Sequence, residues 1–199
     1  WPSFFKAYRE KHNVTFSSIV NWTPINFGIV EDDIEDMTKI NVSEEYEGKD
    51  DLFVDSKVAE IAAERLNHAE DSIVFLHFDS VDHAGHNSGY LSDEFNMTLR
   101  EVDGFIGIVY DACVKKGWEN NTLFILVSDH GHRWEGGHGG NSTTEKEVTI
   151  AVNGGLGNIR EGYAGEAGTL DIAAIVLRGL KEENPETWDS KVPENMFSK

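Results

Sequence analysis

Only one cysteine occurs in the 199 residues, so the chain can form no internal disulfide and no thiolate-rich zinc site. That residue, Cys113, stands in an apolar helical stretch with Phe105, Ile106, Ile108 and Val109, the setting of a buried structural thiol rather than a nucleophile. Basic side chains are also scarce. Against 36 Asp and Glu there are 17 Lys and Arg, and the formal charge of −19 excludes the basic patch that holds a nucleic-acid backbone. The same charge repels an anionic substrate unless local cations offset it. No apolar run approaches the roughly 20 residues of a membrane span, and Trp1-Pro2-Ser3-Phe4-Phe5 lacks the basic start and long apolar stretch of a signal peptide. Repeats, low-complexity tracts and internal linkers are absent from the sequence. What remains, 39% hydrophobic and 11% aromatic residues, suffices for one domain with a substantial core.

Hydrophobic periodicity predicts a short helix over Pro2 to His12, a strand over Val14 to Val20, and an acidic irregular excursion over Thr23 to Asp51. Further helices are predicted over Asp55 to Ala69, Asp93 to Lys116 and Leu170 to Leu180, and further strands over Ile73 to Phe78, Leu123 to Val127 and Val148 to Val152. Gly154 to Gly168 reads as a glycine-rich loop, and Glu182 to Lys199 as a polar surface tail. Nearly continuous apolar strands alternating with helices predict an α/β fold, a largely parallel central sheet covered by helices on both faces.

Five of the eight histidines fall in two clusters, each following a predicted strand: Asp82-His83-Ala84-Gly85-His86, and Ser128-Asp129-His130-Gly131-His132 with Gly136-Gly137-His138-Gly139-Gly140 beyond it. In such sheets ligands gather outside the carboxyl ends of the strands, so both clusters converge on one place. Carboxylate plus imidazole without thiolate suits Zn²⁺, Mn²⁺ or another divalent ion. Two ligand sets from neighbouring strand ends would form a two-metal centre. His77 within its strand reads as a core residue, and His12 and His68 as surface residues.

The run Leu76-His77-Phe78-Asp79-Ser80-Val81-Asp82-His83-Ala84-Gly85-His86, together with Val127-Ser128-Asp129-His130-Gly131, resembles the ligand segments of the alkaline phosphatase superfamily. Within it the chain is most similar to the type I phosphodiesterase/nucleotide pyrophosphatase branch; sulfatases and phosphoethanolamine transferases are cousins. Gly137-His138-Gly139-Gly140, Asp171-Ile172-Ala173 and Trp188-Asp189 are similar to the loop, helix and tail that follow. The resemblance implies two Zn²⁺, one held by Asp82, His86 and His138, the other by Asp129 and His130. Asp79, His83, His132 and Asn141 would support ligands or face substrate. The implied activity is metal-dependent hydrolysis of phosphate esters.

The superfamily's metal-binding aspartate and Ser/Thr nucleophile normally precede the segment that Trp1 to His12 resembles, and Ser17 and Thr23 lie in the wrong context to replace that nucleophile. The expectation is therefore a single domain over residues 1–199, the C-terminal part of an alkaline-phosphatase-like catalytic domain, incomplete at the N-terminus. Its expected partners are a phosphate-ester substrate and an N-terminal fragment of the same enzyme, without which it would be inactive. The alternatives are a non-catalytic metal-binding pseudoenzyme or subunit, a sulfatase, or a phosphoethanolamine transferase. Six Asn-x-Ser/Thr triplets, at Asn13, Asn21, Asn41, Asn96, Asn120 and Asn141, favour an extracellular or lumenal glycoprotein.

Overall fold

A computed structural model describes residues 2–68 and 72–198. Its centre is β1 (Phe16–Val20), whose five residues are all buried. β1 pairs in parallel with β2 (Met37–Asn41) on one side and β3 (Ile73–His77) on the other, giving the order β2-β1-β3. Alternation along the strand sends Ile19, level with Ile40 and Leu76, to one face, and Phe16, level with Met37 and Ile73, to the other. Strands apolar on both faces need cover on both.

That cover is α-helical. The first face packs against α2 (Val42–Glu45), α3 (Asp51–His68) and α5 (Asp93–Lys115) through Val42, Val54, Val58, Ala59, Ala62 and Val109. The second face receives α1 (Phe4–Arg9), capped by the Ser3 hydroxyl, and the π-helical turn Ile25–Ile29. The predicted helix from Asp55 starts one turn earlier, at Asp51, and its predicted last residue, Ala69, lies outside the described residues. α5 follows its prediction closely: the Ser92 hydroxyl accepts from the Phe95 N–H at the start, Gly117 takes φ +68° after the end, and Cys113 is 1% exposed.

Two expectations are corrected. The excursion Thr23 to Asp51 contains β2 and α2, because Met37 and Ile40 each feed one face of the core although acids surround them. The acidic run itself is held by basic side chains. Lys6 pairs with Asp33 at 2.6 Å, Arg9 with Glu35 and Asp36, and Lys39 with Asp32, where the run enters the amino end of β2. The second correction concerns the predicted strand Val148 to Val152. It appears as β5 (Ile150–Asn153), antiparallel to β4 (Phe124–Val127) in a separate two-stranded sheet. A parallel partner needs a long crossover, usually a helix; only the four-residue α6 (Thr143–Lys146) intervenes, and the chain returns beside β4.

α7 (Ile172–Gly179) packs against α1, and Glu182 beyond it binds Lys11 and His12 at 2.8 Å each. Among the sequon asparagines, Asn13, Asn120 and Asn141 are exposed, Asn41 and Asn96 half-buried, and Asn21 buried. The Asn21 amide donates to Asp55 Oδ1 at 2.9 Å and to the Asp51 carbonyl at 3.4 Å.

Phe16, fully buried, and Phe27, 64% exposed, make a matched test of this core. Phe16→Ala should cost about 3–5 kcal/mol in a denaturant titration, whereas Phe27→Ala should stay within about 0.5 kcal/mol of the parent.

Candidate metal centre

After β3 the chain turns at once into α4 (Ser80–Ser88), which places Asp82 and His86 four residues apart on one helical face, one turn from each other. The Asp-x-x-x-His spacing of this cluster is its helical signal. His86 Nε2 lies 3.5 Å from Asp82 Oδ2. The other oxygen, Asp82 Oδ1, faces His132 Nε2 at 3.0 Å and His138 Nε2 at 3.4 Å. This Oδ1 is shielded from water yet accepts no hydrogen bond.

The rings reach Asp82 because two glycines let the backbones cross closely. A Cβ on Gly85 would sit 2.7–2.9 Å from the His132 ring, and one on Gly136, at φ +93°, would lie 2.7 Å from the Gly85 carbonyl oxygen. Glu145, 6% exposed at the start of α6, closes the other end of the loop by accepting from the Gly140 N–H at 2.7 Å and from the Ser142 hydroxyl and N–H. Its own carbonyl accepts from the Gly131 N–H at 2.9 Å. Sequence reading missed this brace, although Ser142 and Glu145 carry the spacing of a capping box. The Ser142 hydroxyl first, then the Gly140 N–H, holds the Glu145 carboxyl below the ordinary value of 4.5.

His130 Nδ1 lies 3.0 Å from the Gly131 carbonyl, which can only accept, so the ring proton sits on Nδ1 and the Nε2 lone pair is free to ligate. That Nε2 is 3.6 Å from Asp129 Oδ2, and the His130 ring stacks on His138 with centroids 3.8 Å apart. Burial pushes the His132 pKa below the ordinary histidine value, which keeps this ring neutral and able to bind a cation.

Two three-residue groups thus overlap at Asp82: Asp82, His86 and His138, and Asp82, His130 and His132. In each, one ligand atom per residue lies within 4.8 Å of the others. Neighbouring ligand atoms around a tetrahedral zinc, with bonds of about 2.0–2.2 Å, stand about 3.3–3.5 Å apart. The Asp82 distances of 3.4 Å to His138 and 3.5 Å to His86 match that spacing, the 3.0 Å to His132 is shorter, and the orphaned Oδ1 lacks only a cation. The donor set fits a divalent metal.

The remaining candidates lie elsewhere. Asp129, with its side chain 79% exposed, joins no such group among the described residues. Asn141 is exposed on the loop before α6. Asp79 and His83 meet Asp51, which sequence reading did not single out. His83 Nδ1 bonds to Asp51 Oδ2 while its Nε2 faces Asp79 Oδ2 at 3.7 Å. Burial lowers the His83 pKa, but the bond to Asp51 and the nearby carboxylates outweigh it and raise it overall. With the two acids on opposite ring nitrogens, a protonated His83 offsets one of the two negative charges, and the trio is a third group whose ligand atoms lie within 4.8 Å of one another.

Residues 2–146 match the type I phosphodiesterase / nucleotide pyrophosphatase family. GPI ethanolamine phosphate transferase 2 of Aspergillus fumigatus is 34% identical over 92 residues, 46% of this chain and 12% of that protein. The human GPI ethanolamine phosphate transferase 3 catalytic subunit is 34% identical over 100 residues, 50% of this chain and 8% of that protein. The chain therefore spans a small part of these relatives. Among solved structures, Leishmania mexicana phosphoglycerate mutase aligns with a TM-score of 0.61 at 18% identity, over 89% of this chain and 36% of that one. Ps i-CgsB aligns at 0.60 and 13% identity, over 98% of this chain and 56% of that one. Both likenesses show an alkaline-phosphatase-like fold.

Two measurements probe the architecture of the centre. Gly85→Ala should drive His132 from Asp82 and weaken zinc uptake, measured by calorimetric titration, by about tenfold or more. The Glu145 bonds to the loop should stabilise it above the ordinary glutamate pKa and be lost as pH falls through the lower folded value. Hydrogen exchange at the Gly140 and Ser142 amides should accordingly stay slow at pH 4.5 and speed up only below it.

Proposed function

Because the chain belongs to the type I phosphodiesterase / nucleotide pyrophosphatase family, within a metal-dependent superfamily, we propose that it forms the metal-holding part of an enzyme acting on phosphate esters. The observation that carries this reading is Asp82 Oδ1, buried, unbonded, and faced by two imidazole nitrogens. Two Zn²⁺ are proposed, one held by Asp82, His86 and His138 and one by His130 with Asp129; the second ligand group, Asp82, His130 and His132, supports a further ion beside His130, and Asp129 reaches it only through the 3.6 Å approach of Oδ2 to His130 Nε2. Such ions stabilise charge on a phosphoryl oxygen and on the attacking and leaving oxygens.

The chain's own residues supply position. α4 presents Asp82 and His86 from one rigid face, and the Glu145-braced loop brings His132 and His138 against them. The Gly131 carbonyl holds His130 in the tautomer that leaves Nε2 free. A local cation site also overcomes the net charge of −19, which otherwise opposes an anionic substrate. The group that attacks phosphorus is proposed to come from outside these 199 residues, in line with a chain matching 12% of the Aspergillus relative. The isolated chain would then bind metal without turnover.

A second reading has the phosphate ester passed to an alcohol rather than to water. It is favoured by the two transferases that are 34% identical over 92 and 100 residues of this chain. For the whole protein we propose an extracellular or lumenal setting, supported by the exposed sequons Asn13, Asn120 and Asn141.

Metal analysis after dialysis should find about two equivalents of zinc per chain, falling to one or none in Asp82→Ala. A complete enzyme carrying this segment should cleave a phosphodiester. With ethanolamine-phosphate donor and an alcohol acceptor present, accumulation of the transferred ester would identify a transferase, and free ethanolamine phosphate alone a hydrolase. A folded chain that takes up no zinc would overturn the proposal.

A further inference from the structure

Asp55 is completely buried, yet none of the chemistry above uses it. It sits in the first turns of α3, between Val54 and Val58 of the core. Its carboxylate accepts four hydrogen bonds: Oδ1 from the Asn21 amide at 2.9 Å and the Asp79 N–H at 3.1 Å, Oδ2 from the Ser80 N–H at 2.9 Å and the Ser80 hydroxyl at 2.5 Å. Three of the four donors belong to Asp79 and Ser80, the residue that precedes α4 and its first residue.

A helix N-terminus leaves its first N–H groups without partners, and the residue before the first turn usually caps them with its own side chain. Asp79 holds that position and caps nothing. The next candidate by position is Asp82, the third residue of α4, since an acid there commonly reaches back over the first turn. If Asp82 did so, it would turn away from the histidines. Asp55 instead supplies the cap from a neighbouring helix, and the Asp82 carboxylate remains available to His86, His132 and His138.

We infer that Asp55 is a positioning residue for the metal centre, a cap in trans that fixes the first turn of α4 and thereby the orientation of Asp82. Asn21 extends the same device: immediately after β1 it donates to both Asp55 and the backbone of Asp51, so sheet, α3 and α4 share one buried anchor. The inference rests on the metal-centre reading.

The test uses the full chain and zinc alone, with affinity measured by competition against a chromophoric chelator and folding by circular dichroism. Asp55→Asn replaces one acceptor oxygen with an amide donor facing the four existing donors. It should weaken zinc binding by about 10- to 100-fold, the range for groups that orient metal ligands, and alter the visible spectrum of the cobalt(II)-substituted protein. Ser80→Ala, which removes one of the four bonds, should weaken binding by a smaller factor. Val58→Ala serves as the control for stability: it lowers the melting temperature through the same helix and should leave zinc affinity within twofold of the parent. Parent-like zinc affinity and cobalt spectrum in a folded Asp55→Asn chain would overturn the inference. If Asp55→Asn does not fold, Ser80→Ala decides: parent-like affinity and spectrum overturn it, weakened binding supports it. An equal loss of affinity in Val58→Ala would also overturn it, by showing that global stability is being read. A parent chain that binds no zinc would instead defeat the metal-centre reading itself.

Discussion

A carboxylate oxygen withdrawn from water without a hydrogen bond is a costly object, and the arrangement around Asp82 is organised by that cost. Three imidazole rings turn their Nε2 atoms toward this side chain at 3.0–3.5 Å, from a helix and from a loop that comes from a different sheet. A cation resolves the cost in a way that no side chain nearby does. Close passage of Gly85 against Gly136, the Glu145 brace and the Gly131 carbonyl that sets His130 all serve the same end, the convergence of nitrogen and oxygen lone pairs on a small volume.

Much of this frame was legible in the sequence. Long, strongly periodic segments declare themselves, so α5 was readable from Ser92 to Gly117, and β1 and β3 from their apolar runs. The convergence of the two His/Asp clusters was readable from their places after strands, since carboxylates and imidazoles at strand ends gather at one edge of a sheet. Less visible was β2, which offers one apolar residue to each face and is entered through acids. Strand direction was not visible in β5, since apolar alternation does not say whether the chain crosses over or turns back. The buried anchor at Asp55 was hidden for another reason: an acid in the first turns of a helix ordinarily faces water, and only tertiary contact makes it a cap.

The electrostatic balance also reads differently once the fold is known. Much of the acidity around Glu31 to Asp36 is met by Lys6, Arg9 and Lys39 at the amino edge of the parallel sheet. The candidate centre lies beyond the carboxyl end of β3, at the opposite edge. Separation of charge across the sheet leaves the histidine-lined edge free to gather cations while the far edge carries a paired surface. His83, between Asp51 and Asp79, lies on the centre's side and joins the start of α3 to α4.

Buried Asn21 has a consequence for the life history of the chain. In a cell that exports it, the oligosaccharide-transferring enzyme needs that amide nitrogen free and on an open loop, whereas the finished fold commits it to Asp55 and Asp51. Sugar attachment and closure of β1 against α3 are therefore mutually exclusive outcomes of a race during synthesis. Because α3 emerges from the ribosome some thirty residues after Asn21, the asparagine waits unprotected for that interval, and the fraction of molecules bearing a glycan there becomes a clock for how quickly α3 docks.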